Sequence, residues 1–484
     1  MTAHCRFQRL PKPLALETLA LAVLVVAMAS CSPSTTAPPG TPPPPVAVSL
    51  TPLDDYVAAP DPGFSYQTPP ETVAEEPAYA AYAYRMTSQT WLTPDKVDRT
   101  AWEHWVLVVV PAEVAHTQAM MFIGGGSNRG GDAPSAPSEL AQVAVLTKSI
   151  VAEVKQIPNQ PLRFPDEHDD RYKEKGRSED DMIAYAWDKY LITGDPLWLP
   201  RLPMTKAVVR AMDLVQKEHP EVDGFLVAGG SKRGWTTWTV AAVDKRVVAI
   251  TPAVIDVLDV VSSLDNHHAA YGFWAPAVGS YDDMNVLARL HTPEFAALCD
   301  VVDPISYVDR LTMPKYIVNS AGDQFFPPDS WRFYFDKLKG EKYLRYMPNT
   351  DHGLNIEAYF NLASFYKSVL AGVPRPEFTW KMETGGALEV RCETVPTKVV
   401  LWQATNPEAR DFRLESIGEA WSGTPAEESG PGVFRAALDA PPSGWTAFFL
   451  ELEFPNPVFD SPFKFTTGVS IVPDTLPHPP VPAL

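Results

Sequence analysis

Cysteine is scarce: the 484 residues hold four, and two of them, Cys5 and Cys31, fall within the first 31 positions. Cys299 and Cys392 are far apart and read as free buried thiols rather than a disulfide, so a disulfide-stapled scaffold is excluded. Histidine is sparse at ten, and no Cys/His spacing matches a zinc site. His267-His268 and the acidic stretch at 166–170 read as solvated loop, so no metal and no cofactor is expected. Basic residues are in deficit, 40 against 59 acidic ones, for a formal charge of −19. A surface of that sign repels phosphate backbones and argues against nucleic acid as a partner. Long apolar runs are lacking too. The one candidate, roughly a dozen residues from Leu19, falls short of the about 20 that a spanning helix needs.

That short run has the layout of an export signal. Arg6, Arg9 and Lys12 precede it, and it ends in Met28-Ala29-Ser30-Cys31. Two processing routes fit. Ala29-Ser30-Cys31 resembles the bacterial lipobox, in which Cys31 is acylated and becomes the new N-terminus. The other route is ordinary signal-peptidase cleavage nearby. Proline then dominates residues 32–50, a stretch that extends as polyproline II and builds no core. The reading is a leader over 1–31, a linker over 32–50, and a product that is either an envelope lipoprotein (periplasmic or outer surface) or secreted. Any membrane contact is expected only through the lipid.

At this length, two folded domains are expected. Across 51–375, strand-like runs at 105–110, 119–123, 150–154, 224–228, 247–254, 316–319 and 343–346 alternate with helical periodicity at 139–146, 181–191, 205–219 and 356–370. The alternation predicts an α/β fold with a doubly wound, mostly parallel sheet, whose ligands bind beyond the carboxyl ends of the strands. From 376 to 475 the pattern changes to strand-length runs at 378–382, 387–392, 398–403, 412–416, 432–437, 446–454 and 461–472. These predict a small all-β sandwich of the immunoglobulin or fibronectin type, with a tail over 476–484.

The chemistry concentrates at Ala228-Gly229-Gly230-Ser231-Lys232-Arg233-Gly234-Trp235. An apolar strand runs into a tight turn carrying Ser231, and a helix follows, which is the setting a nucleophilic serine requires. Small neighbours are needed there. Gly229 meets that need, whereas Arg233 stands where a glycine is usual and Gly234 is displaced by one. Asp323 closes the strand-like run after Lys315, and His352 follows the next one in Asn349-Thr350-Asp351-His352-Gly353. The order Ser, Asp, His with loops at one sheet edge fits a triad in which Asp323 orients His352 and His352 activates Ser231. Asp256, after an earlier strand, is a second candidate for the acid. Gly124-Gly125-Gly126 follows an early strand, and backbone amides at Gly125 and Lys232 are read as an oxyanion hole. No Gly-Lys-Ser/Thr follows that loop, so a Walker-type phosphate cradle is not read. The alternative is a glycine-rich loop of no chemical consequence.

With these residues in view, the Gly-Gly-Ser-Lys-Arg-Gly-Trp block resembles the PhoPQ-activated pathogenicity-related protein family. So do residues 202–213, 254–258 and 319–326. The resemblance spans roughly residues 50–475. It implies an α/β-hydrolase catalytic domain in an exported protein, with the Ser, Asp and His roles at Ser231, Asp323 and His352, and it places Arg233 within the family block. It names no substrate. The expectation is a serine hydrolase that transfers an acyl group to water, esterase or peptidase, on a small-molecule or peptide substrate. Arg233 and Lys232 are expected to favour negatively charged substrates. The rival is a non-catalytic envelope protein that keeps the fold for binding.

Overall fold

The computed structural model describes residues 50–482. The leader, Cys31 and the linker up to residue 49 lie outside the described residues.

Eight strands among the described residues make the part of the central sheet that positions the site. They are β1 (Tyr79–Thr90), β2 (Ala101–Pro111), β3 (Gln118–Ile123), β4 (Val151–Val154), β5 (Gly224–Gly230), β6 (Val247–Ala253), β7 (Lys315–Ser320) and β8 (Lys342–Met347). Their order is 1-2-4-3-5-6-7-8. Strand β2 runs antiparallel to β1 and β4, and every pairing from β4 to β8 is parallel. The near-continuous apolar runs in β5 and β7 follow from this, because a parallel strand in mid-sheet is covered on both faces. The longest strand, β1, was not among the expected runs. Its Ala-rich sequence, Tyr-Ala-Ala-Tyr-Ala-Tyr, lacks the β-branched residues by which a strand is recognised.

Six helices matter to the site: α1 (Ser138–Thr147), α2 (Glu179–Thr193), α3 (Arg201–Glu218), α4 (Lys232–Val243), α5 (Val260–Tyr271) and α6 (Glu357–Leu370). Leu140 of α1 and Phe365 of α6 share one core with Met120 and Leu226 of the sheet. Met182, Leu202, Trp238 and Leu264, from α2 to α5, share the other with Met121 and Val227. Adjacent residues of a strand point to opposite faces, so the sheet is covered on both sides. The doubly wound expectation describes what is seen.

The C-terminal strands are β9 (Phe378–Met382), β10 (Leu388–Cys392), β11 (Lys398–Asn406), β12 (Ser422–Pro425), β13 (Glu428–Gly430), β14 (Val433–Ala436), β15 (Trp445–Phe454), β16 (Phe463–Thr466) and β17 (Ser470–Val472). They form two layers, as a sandwich does, but one layer is the central sheet continued. Strand β16 pairs with β8 through Leu344 and Thr466, and β15, β11 and β12 follow. The second layer, in the order β9-β10-β14-β13, packs Leu388, Val390 and Phe434 into the core that holds Phe448 and Leu450 of β15. The described residues accordingly form one compact unit, and the expected break near 376 does not separate two bodies. The seam is closed by Arg345 paired with Glu451 at 2.5 Å, both buried. Tyr316 adds a hydrogen bond, its hydroxyl donating to the Lys464 carbonyl at 2.7 Å. The run expected at 412–416 is no strand; a short helical turn, Leu414–Ile417, takes its place. Cys299 and Cys392 are free, and both are half-buried.

Candidate active site

Strand β5 delivers Ser231 to a turn of unusual backbone, φ 58° and ψ −131°, before α4 begins. A positive φ at a non-glycine residue is strained and persists only where its surroundings enforce it. Here the Ser231 amide donates to the Ala253 carbonyl at 2.8 Å, and the Trp235 amide donates to the Ser231 carbonyl at 2.9 Å. The two flanking glycines have different physical reasons. A Cβ on Gly229 would lie 2.8 Å from the Arg233 carbonyl, and one on Gly234 would lie 2.8 Å from the Ala253 carbonyl. The displaced glycine is therefore needed where it stands, because α4 crosses β6 at Gly234 rather than one residue earlier.

The loops after β7 and β8 meet at the same sheet edge. His352 Nδ1 lies 2.8 Å from Asp323 Oδ2, and Asp323 is buried. Asp323 Oδ1 accepts from the Phe325 amide at 2.7 Å, and Gln324 Oε1 accepts from the His352 amide at 2.9 Å. Phe325 packs on the imidazole with ring centroids 4.3 Å apart. His352 Nε2 is buried and has no hydrogen-bond partner. Ser231 and His352 line one cavity of about 200 Å³, walled by Phe122, Val254, Tyr359 and Leu362. Ser231 also lines a second, narrower cavity on its Trp235 side.

Asp256 is not at the imidazole. It is fully buried, and the hydroxyls of Tyr334, at 2.7 Å, and Tyr346 both donate to it. Burial pushes its carboxyl up to about 8, with the charges of Asp323 and Asp329 adding to the rise.

Lys232 and Arg233, expected to face substrate, face protein carboxylates instead. Lys232 Nζ lies 3.0 Å from Glu179 and 3.0 Å from Asp180. Arg233 Nη2 lies 2.5 Å from Glu179, and its Nε donates to the Ile157 carbonyl at 2.6 Å. The guanidinium covers Gly125, where a Cβ would come within 2.7 Å of Nη2. Glu179 opens α2, and its amide donates to Gln160 Oε1 at 2.6 Å. Burial alone would raise the Glu179 carboxyl, but the Arg233 hydrogen bond and the Lys232 charge outweigh it and hold the carboxyl at about 2. This clamp ties the loop bearing Gly125 to the turn bearing Ser231.

Sequence pattern missed Glu179, Gln160 and Gln324. Glu179 was legible only as part of an acidic helix start, a feature of many helices. The others gain meaning from what they touch, and no spacing rule encodes that.

A mixed sheet in this strand order, with a serine on the strand-to-helix turn after β5, defines the α/β-hydrolase class. Within that class, a model of the PhoPQ-activated pathogenicity-related protein family matches residues 53–413, and the chain belongs to that family. Autocrine proliferation repressor protein A of Dictyostelium discoideum is 36% identical over 464 residues, which is 89% of this chain and 92% of that one. Acetyl esterase Axe7A of Xylanibacter ruminicola is 27% identical over 156 residues, or 32% of this chain and 33% of that protein. Among solved structures, the acetyl xylan esterase from Paenibacillus sp. R4 matches with a TM-score of 0.46 at 15% identity, covering 66% of this chain and 92% of that one.

Proposed function

We propose that this protein is a serine hydrolase in which Ser231, His352 and Asp323 transfer an acyl group to water. The observation that carries the reading is the Asp323–His352 hydrogen bond, with the free Nε2 and Ser231 on one cavity. Asp323 accepts from Nδ1–H, which fixes the tautomer whose Nε2 is a base. Nε2 takes the Ser231 Oγ proton as the Oγ–carbon bond forms. The carbonyl oxygen becomes an oxyanion held by the backbone amides of Lys232 and Gly125, close to the positive end of α4. Collapse breaks the bond to the leaving group, which receives the proton from His352, and water repeats the sequence to release the acid. The partial match to an acetyl esterase supports ester over peptide substrates. The leader sequence supports export, followed either by lipid attachment at Cys31 or by free secretion.

A second reading has an observation of its own. The relative with the long match is named as a proliferation repressor, which fits a protein that keeps the fold for binding. Labelling with a fluorophosphonate separates the two. The hydrolase reading expects stoichiometric labelling that disappears in Ser231→Ala, and a folded wild-type protein that takes no label overturns it.

A further inference from the structure

The narrower cavity beside Ser231 is walled by the rings of Trp187, Trp235, Tyr281, Phe325 and Phe326 together with aliphatic side chains, and three charged residues line it: Asp180, Lys232 and Arg201. Arg201 opens α3 and is 3% exposed. Its guanidinium lies over Trp235, 4.7 Å from the ring centroid. Nη1 makes its hydrogen bonds, at 2.6 Å to the Lys232 carbonyl and 2.8 Å to Thr236 Oγ1, with Met204 Sδ at 3.9 Å. Nε is buried without a partner, and Nη2 donates to no described protein group. These two nitrogens form the side-on edge of the fork, whose two parallel N–H bonds match a carboxylate.

The charges nearby are matched without Arg201. Lys232 and Arg233 are two cations, and Glu179 and Asp180 are the two carboxylates they hold. Asp180 is further occupied by the Tyr281 hydroxyl at 3.1 Å. No described carboxylate forms an ion pair with Arg201. A guanidinium keeps its proton at neutral pH, and here burial lowers its pKa only to about 9. Lys232, Arg233 and Arg201 against Glu179 and Asp180 leave one positive charge over, beside the nucleophile and at a cavity that Asp180 and Lys232 also line. Burying an unmatched charge is strongly unfavourable, and the missing partner is an anion.

We propose that Arg201 is a substrate-binding residue and that the ester hydrolysed at Ser231 carries a carboxylate, which enters the aromatic cavity and pairs with the free edge of Arg201. This rests on the acyl-transfer reading of Ser231. The wider cavity takes the uncharged part of the substrate against Phe122, Val254, Tyr359 and Leu362.

Two pairs of esters test the proposal and locate the carboxylate. Mono-4-nitrophenyl succinate against 4-nitrophenyl butanoate carries it in the acyl group, and 4-acetoxybenzoate against phenyl acetate carries it in the leaving group. In one pair the anionic ester is expected to have a kcat/KM at least about tenfold higher, each value divided by its spontaneous rate. Arg201→Met brings that ratio to about one, and a ratio is insensitive to a general loss from the severed Lys232 contact. If Arg201→Met does not fold, Ser231→Ala titrated with butanoate and with butanamide decides, with the acid expected to bind at least about tenfold tighter. Ratios near one in both pairs, or equal binding of acid and amide, overturn the proposal. Labelling at Ser231 without anion preference removes the Arg201 site and leaves acyl transfer standing. Anion binding without labelling does the reverse.

Discussion

Arg233→Ala tests the clamp that joins the turn of Ser231 to the loop of Gly125. The side chain is 14% exposed and makes two charge-assisted contacts, with Glu179 at 2.5 Å and the Ile157 carbonyl at 2.6 Å. Glu179 is held at about 2, against an ordinary 4.5. That shift corresponds to at most about 3 kcal/mol, shared between Arg233, Lys232 and Gln160. The Glu179 side chain is 38% exposed, so solvent screening leaves about 1 kcal/mol for Arg233 itself. The lost bond to Ile157 adds about 1 kcal/mol, and the unfilled space over Gly125 adds a similar amount. The expected loss is about 2–3 kcal/mol, read as a lower urea midpoint at pH 7. A carboxyl held below its unfolded value stabilises the fold above pH 4.5, and that stability is lost as pH falls toward 2. The gap between wild type and variant therefore narrows from pH 7 to pH 3. Because Arg233 faces protein, kcat/KM for anionic and neutral esters falls by the same factor. Unchanged stability, with KM raised only for anionic esters, would refute the clamp and return Arg233 to the substrate.

Asp323→Asn and His352→Ala should each lower turnover of an activated ester by about three to four orders of magnitude. Asp256→Asn should leave turnover nearly intact; loss of activity there, with Asp323→Asn active, would move the acid to Asp256. Asp256 contributes stability that is full below pH 3.8 and lost as pH rises through about 8. Its Asn variant should therefore unfold at a higher temperature than wild type at pH 8, with the difference vanishing below pH 4. Gly234→Ala should destabilise by about 2 kcal/mol or more, since its Cβ meets two carbonyl oxygens within 2.9 Å; an unchanged urea midpoint would show that the crossing of α4 and β6 can relax. Mass spectrometry of the mature N-terminus should find a lipid-modified Cys31, and an unmodified start at Ser32 or beyond would establish free secretion.

Sequence alone determined the alternation of strands and helices, because buried strands and amphipathic helices write their periods into the order of apolar residues. Ser231, Asp323 and His352 were legible for a related reason, since each closes an apolar run in a loop where the chain must turn. Whatever depends on long-range contact was not. The strand Tyr79–Thr90 interleaves alanine with tyrosine in its first half, and its pairing along nearly its whole length with β2 is what specifies it. The C-terminal strands read as a separate sandwich because a one-dimensional pattern carries no signal for the single pairing, Leu344 to Thr466, that grafts them onto the central sheet. Arg233 invited a substrate role until Glu179, 54 residues earlier, was found against it. Arg201 was one cation among many in a helix until its partners could be counted. A charge takes its function from the charges around it, and those are set by the folded chain.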